Sequence, residues 1–349
     1  MTYQIDTFPG REITVIDKKY LYFGGTSYLG LQTDPDFQEL FIKNIKKYGT
    51  NYGASRKSNV RISVFEHAEK QLAQLVGCEA CATLSSGYLA GQLLAQTFSD
   101  PSFKTFYAPN AHSALYQQTP EHYTDYESLN EAVRSHLASE AKSTAVVFLD
   151  SIDFGGLNYP VFKGLRMLPL DKLILVVDDS HGIGVVGENG SGVYKNLRNL
   201  FAKELVICCS LGKGLGIQAG AVFGGEERIK TLTETDFFGG ASPASPAALQ
   251  TFIDASDIYF GQRKALERNC TSFKELLTDH KMVTGVADHP AFSFSDSQLV
   301  KHLEENGIIV TNFNYPNEDA ALMSRIVISA HHTLADIQYL TAILNSYKV

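Results

Sequence analysis

No apolar run in the 349 residues comes near the roughly 20 that a membrane-spanning helix requires; LILVV at 173–177 and ELVICC at 204–209 have the length of strands. Residues 1–23 lack a basic start, an apolar block and a small-residue cleavage pattern. No secretory leader is therefore expected, and the chain reads as a soluble, cytoplasmic protein with no membrane partner. An excess of basic residues is missing too. Thirty Lys and Arg stand against 38 Asp and Glu, a net charge of −8. That argues against nucleic acid as a partner, while leaving room for an anion held by local amides. Cysteine is scarce and odd in number: Cys78, Cys81, Cys208, Cys209 and Cys270 make no disulfide framework. Cys78 and Cys81 do form a C-x-x-C, but no second pair and no H-x-x-x-H completes a zinc site, so no metal is expected. Low-complexity tracts, charge blocks and repeats are also missing.

What is there is a rhythm of apolar runs and amphipathic stretches. Helical spacing marks 36–49 and 64–76, the second stopped by Gly77. Strand-like runs at 81–86, 104–108, 144–150, 172–179, 204–210 and 219–225 alternate with helical patterns at 87–98, around 114–118 and at 128–138. Continuous Val, Ile and Leu runs separated by helices predict an α/β fold with a mainly parallel sheet covered on both faces. Beyond about residue 245 a long helical stretch, 246–280, leads to the short strands GIIVTNF and SRIVISA and a last helix, LADIQYLTAILNSY. The expected partition is an N-terminal segment 1–35, a large domain 36–245 and a smaller α+β domain 246–349. Ligands of open α/β sheets gather at the carboxyl ends of the strands. The loops after residues 84, 108, 150, 178, 209 and 224 are where chemistry is expected.

Two glycine patterns compete in those loops. Gly182–Gly187 spells G-x-G-x-x-G after the strand that ends at Asp178, but a polar ENGSGVY follows where a dinucleotide site needs an amphipathic helix. The second pattern, Ser85-Ser86-Gly87-Tyr88, is a strand-to-helix turn whose amides can cradle a phosphate. Asp178 and His181 lie beyond one strand, and Lys213, within SLGKGLG, lies beyond the next. An amine, a carboxylate and an anion cradle at one sheet edge are what pyridoxal 5'-phosphate requires. The lysine forms a Schiff base, the aspartate partners the pyridinium nitrogen, and the helix start takes the phosphate. Taken singly, Asp178 could cap a loop, Lys213 could be solvated and His181 could be a turn histidine; together their spacing favours the cofactor.

In chain order, SYLGL (27–31), KYG (47–49), Ala54-Ser55-Arg56, SSGYLAG (85–91), VDDSHGIGVVGENGSGV (177–193), SLGKGLG (210–216) and SRIVISAHHT (324–333) are similar to motifs of the α-oxoamine synthases among the fold-type I pyridoxal-phosphate enzymes. The resemblance runs from about Tyr28 to the C-terminus. It implies a fold-type I transferase with a mainly parallel sheet of the seven-stranded type, a small α+β C-terminal domain, and a homodimer with active sites at the interface. By the same resemblance Lys213 is the Schiff-base lysine and moves the α-proton, Asp178 partners the ring nitrogen, His181 lies near the phenolic oxygen and His112 stacks on the ring. Ser86, Gly87, Tyr88 and Ser210 would surround the phosphate, and Arg325 would hold the amino-acid carboxylate with its planar fork. The implied reaction is a decarboxylative condensation of a small amino acid, alanine first and then glycine or serine, with an acyl-CoA. That is a C-acyl transfer like the 8-amino-7-oxononanoate synthase step of biotin biosynthesis. Transamination, aldol cleavage and a non-catalytic role on the same fold are the alternatives.

Departures from the family pattern fall on the acyl and partner-subunit side. Gly239 and Gly240 stand where hydroxyl residues commonly reach the partner's phosphate. Asp153 falls near a usual serine in a loop one residue short, and Asp179 replaces a glutamate. Lys43, Lys46, Lys47, Arg56, Lys57 and Arg61 are the candidate cations for a CoA tail, with a solvated helix face accounting equally for the lysines.

Overall fold

The computed structural model describes residues 2–118, 123–315, 318–320 and 322–348. The first half of the chain forms β1 (Glu12–Val15), β2 (Lys18–Phe23), α1 (Pro35–Tyr48), α2 (Val64–Val76), β3 (Ala80–Leu84), α3 (Gly87–Thr97), β4 (Phe103–Tyr107), α4 (Tyr126–Ala138), β5 (Thr144–Asp150) and β6 (Ile174–Asp178). The second half forms α5 (Tyr194–Arg198), β7 (Glu204–Ser210), β8 (Gly220–Gly224), α6 (Glu226–Glu234), α7 (Asp236–Gly240), α8 (Pro246–Asp254) and α9 (Ser256–Leu276). It ends with β9 (Thr284–Gly285), β10 (Ala291–Phe294), α10 (Ser297–Glu305), β11 (Ile308–Asn314), β12 (Leu322–Val327) and α11 (Leu334–Ser346). These elements fall into two units, one of Met1–Glu39 with Ser256–Val349 and one of Leu40–Ala255.

The second unit is built on the apolar runs read from the sequence, which form a sheet in the order β3-β8-β7-β6-β5-β4. β4 through β7 are parallel, while β8 runs antiparallel to both β7 and β3. The reversal follows from chain length. The link 211–219 between β7 and β8 is too short for the crossover that parallel neighbours need. The sheet has six strands, not the seven of the expected type, because residues 80–225 carry six runs that enter it. Every residue of β6 and β8 is buried. Phe148, Val176, Val206 and Val222 form the core with Leu93 and Leu94 of α3 and with Phe98, which follows that helix. Each such side chain contributes about 1.5–3 kcal/mol by leaving water.

In the first unit the sheet order is β1-β2-β11-β12-β10-β9. The N-terminal segment, expected to stand apart, enters this sheet through β2, which pairs in parallel with β11 and buries Phe23. Arg11 joins it to α11 through Asp336, with Nε 2.7 Å from Oδ2. The stretch 246–280, expected as one helix, is two: α8 and α9 part at Ala255, whose φ of −96° and ψ of 20° leave the helical region. α8 belongs to the second unit, buries Leu249 and Phe252, and receives a 3.1 Å hydrogen bond from Asn44 Nδ2 at Thr251 Oγ1. The unit boundary therefore falls at 255 and not at 245. Among the described residues no helix is long and apolar enough to cross a membrane.

Candidate active site

The carboxyl ends of β5, β6 and β7 bring the candidate groups together in the second unit. Asp150 and Asp178 end neighbouring parallel strands in register, and Asp178 in turn faces Cys208 on β7. Asp178 is 8% exposed and accepts the Ser180 amide at 2.8 Å through Oδ1. Ser180, which no motif singled out, ties two strand ends together: its Oγ accepts the Ser210 amide at 2.8 Å. One residue further on, His181 places Nε2 3.0 Å from Lys213 Nζ. The link 211–219 presents Lys213 between buried anchors. Leu211, Leu215 and Ile217 point inward, and the Leu211 amide donates to the Ala219 carbonyl at 2.9 Å.

His112 opens a short turn, and its Nδ1 accepts the Ala114 amide at 3.1 Å. Burial holds its imidazole below the ordinary pKa, Asp178 opposes that shift and Lys213 adds to it. The ring is therefore neutral near pH 7, with its proton on Nε2. Gln92 of α3 steadies the turn by donating to the carbonyls of Ala114 and Tyr116, at 3.0 and 2.9 Å. Asp150 is a further carboxyl at this edge. Burial first, and then the neighbouring Asp178, push its pKa well above the usual range, with Lys213 and the His112 amide opposing.

The turn 85–88 makes the anion cradle. Ser86 caps α3, its Oγ accepting the Leu89 amide at 3.2 Å. The amides of Gly87 and Tyr88 open the helix, where no acceptor within the helix exists for them. A Cβ on Gly87 would come within 2.6 Å of Ser210 Cβ, and one on Gly220 would overlap the Ser86 carbonyl. The backbone of this turn thus lies directly against the end of β7, which places Ser86, Gly87, Tyr88 and Ser210 at one spot. Amine, carboxylate, neutral imidazole and helix-start amides share one sheet edge, a donor set that fits pyridoxal phosphate. Arg325 is carried by β12 of the first unit, half-buried, its pKa lowered by burial against the opposing influence of Tyr28 and Tyr315.

The rival readings lose their footing in the same geometry. After Gly182–Gly187 comes only a three-residue 3-10 turn, Glu188–Gly190, broken by the left-handed Asn189, and the next α-helix, α5, has five residues and begins at Tyr194, so the amphipathic helix that a dinucleotide site needs does not open at these glycines. Two glycines of this stretch, Gly182 and Gly192, make room for Asp179. Its carboxylate accepts Ser151 Oγ at 2.6 Å and the Val193 amide at 3.0 Å, and a Cβ on Gly182 or Gly192 would overlap it. The thiols of the C-x-x-C are both held protonated by burial, Cys78 up to about 11 and Cys81 well above its usual value. Burial thus disfavours, in both, the thiolate that redox chemistry uses at neutral pH.

Two of the CoA candidates are engaged within the unit. Arg56 gives Nη1 and Nη2 to the two oxygens of Glu69 at 2.8 and 3.0 Å, and Lys57 Nζ gives hydrogen bonds to the carbonyls of Glu234 and Thr235 at 2.6 and 2.9 Å. Lys43, Lys46 and Lys47 remain exposed on α1. Gly239 and Gly240 border a cleft of about 500 Å³ lined with Tyr52, Ser55, Ser85 and Ser242.

Compared with known proteins, residues 164–344 match the family described as aminotransferase class I and II. The 8-amino-7-oxononanoate synthase of Thermoanaerobacter pseudethanolicus is 26% identical over 353 residues, covering 94% of this chain and 88% of that protein. The enzyme of the same name from Thermosipho melanesiensis is 23% identical, covering 95% and 88%. Among solved structures, Sphingomonas wittichii serine palmitoyltransferase superposes with a TM-score of 0.81 at 17% identity over 99% of this chain and 91% of that one. The 8-amino-7-oxononanoate synthase of Francisella tularensis gives 0.66 at 21% identity, covering 93% and 97%. At those identities the structures share the fold, that of the fold-type I transferases.

Proposed function

Because the chain belongs to the aminotransferase class I and II family, we propose that it is a pyridoxal-phosphate enzyme of the α-oxoamine synthase kind, joining a small amino acid to an acyl-CoA with loss of CO2. The observation that carries this reading is Lys213 Nζ at 3.0 Å from His181 Nε2, beside the strand end that bears Asp178. When bound, pyridoxal phosphate supplies an electron sink for a carbanion at the α-carbon of the amino acid. The chain's own groups do the rest. The amides of Gly87 and Tyr88 with the hydroxyls of Ser86 and Ser210 would hold the phosphate, and the Asp178 carboxylate would accept the ring N–H and keep it protonated. His112, neutral, would cover one face of the ring and exclude water. Lys213 would hold the cofactor, and its Nζ would move the α-proton, with His181 as the hydrogen-bonding neighbour of that nitrogen. Arg325 would take the substrate carboxylate through its planar fork. Alanine is the first substrate to try, before glycine and serine, with a homodimer as the working form.

Transamination is a second reading, favoured by one observation: Arg56 and Lys57 are occupied inside the unit and leave the CoA tail with fewer cations. Thiol titration during turnover separates the two. Purified protein with alanine and a series of acyl-CoAs releases one free thiol per CO2 if the proposal holds. With a 2-oxo acid added as amino-group acceptor, formation of pyruvate from alanine with no thiol released would establish transamination instead.

A further inference from the structure

Backbone strain in the second unit stands beside the chemistry at Phe154. Its φ is +55°, in the left-handed region that is unfavourable for an aromatic residue. Glycine, which adopts such a turn freely, occupies positions 155 and 156 but not this one. The loop around Phe154 is pinned on both sides. The Asp153 carboxylate accepts the amides of Gly156 and Leu157, each at 3.0 Å. Asn158 Nδ2 donates to the Asp150 carbonyl at 2.6 Å, while Asn158 Oδ1 accepts from the Tyr126 hydroxyl at 2.5 Å. Held this way, the half-buried ring of Phe154 meets the imidazole of His181 edge-on, with centroids 4.9 Å apart and planes at 77°. The same imidazole places Nε2 3.0 Å from Lys213 Nζ. His181 therefore sits between an aromatic ring from the loop after β5 and the amine from the link between β7 and β8.

We infer that Phe154 is a positioning residue: its ring fixes the rotamer of His181, and so the hydrogen bond between His181 and Lys213. The lysine is a poor guide for the imidazole, since its amine ends a flexible four-carbon stem. An edge-to-face aromatic contact has a defined geometry and restricts rotation of the partner ring. Strain that persists at a site is held by surroundings that need it, and here the left-handed turn is what presents the ring to His181. This inference rests on the reading of His181 and Lys213 as cofactor-facing groups.

The test uses the nitrogen NMR signals of the His181 ring in cofactor-free protein, assigned with H181N, for wild type, F154Y and F154N. Tyrosine keeps the ring, and asparagine tolerates the left-handed backbone without it. Wild type and F154Y are expected to show a single His181 tautomer, and F154N an average of two, at a Tm no lower than that of wild type. In loaded enzyme, F154N lowers kcat about tenfold, as small misplacements of a catalytic group do, with KM for the amino acid within about twofold. F154Y keeps most of the rate. Unchanged His181 signals and kcat in F154N would overturn the inference. So would F154Y failing as badly as F154N with a matching loss of Tm, which marks a packing residue. Because the nitrogen spectrum is read without cofactor, a protein that takes up no pyridoxal phosphate would sink the functional reading and still leave the positioning role decided.

Discussion

Glu69 accepts from Arg56 through both carboxylate oxygens and from the amide and hydroxyl of Thr83, in hydrogen bonds of 2.8–3.0 Å. Phe65 and Phe238 lie against the guanidinium, 4.1 and 5.6 Å from its carbon. With side-chain exposures of 15% and 14%, this is a pair whose partners cannot be solvated separately. Removing one leaves a charge out of water, which costs about 3–5 kcal/mol. E69A should therefore lose about 3 kcal/mol in urea unfolding; a loss under about 1 kcal/mol would show that Arg56 finds water or another partner. Asp179 makes a prediction of the opposite sign for pH. Burial raises its pKa to about 7, against the hydrogen bonds from Ser151 and Val193. Between pH 4 and 7 the unfolded chain gives up this proton while the folded chain keeps it, so the group destabilises the fold increasingly as pH rises. D179N cannot ionise, and the stability of D179N relative to wild type should rise from pH 4 to 7 and then level off. A difference that stays constant across that range would contradict the burial of the carboxyl.

The hairpin joining β1 to β2 carries another unfavourable backbone. Ile16 and Asp17 form its two-residue turn with φ of +46° and +62°, and the Ile16 side chain is 94% exposed. A two-residue turn with both φ values positive suits Asn-Gly, and a β-branched residue there is strained without any burial in return. I16N should raise stability by about 1 kcal/mol, read as a higher Tm at unchanged spectroscopic properties. That turn also explains why β1 and β2 escaped the sequence reading: without Asn or Gly at its tip, EITVIDKKYLYF carries no hairpin signal. Continuous apolar runs made β3 to β8 legible, and the strand-end loops followed from them. β9 has two residues, and no pattern identifies so short a strand. The break at Ala255 was hidden because alanine favours the helix it ends. Within the site, Asp178, His181, Lys213 and the turn at 86–88 stood out by residue type and spacing. Ser180, Gln92 and Phe154 act through contacts between segments far apart in sequence, which spacing within one segment does not reveal.

At the scale of the whole molecule, two sheets divide the work. The sheet of the second unit, with its parallel strands β4 to β7, turns three strand ends and a helix start toward one edge, and the sheet of the first unit draws the N-terminal strands and the C-terminal third of the chain together. A fold shared with both serine palmitoyltransferase and 8-amino-7-oxononanoate synthase structures does not choose a substrate. The cofactor chemistry proposed for it converges on one lysine. The most direct test is the visible absorption of wild type and K213A after incubation with pyridoxal phosphate, followed by borohydride and peptide mapping. The wild type is expected to be yellow and irreversibly bleached by borohydride, with the reduced adduct on the peptide bearing Lys213, and K213A to lack that band. A colourless wild type, or an adduct that maps to another lysine while K213A keeps the band, would contradict it.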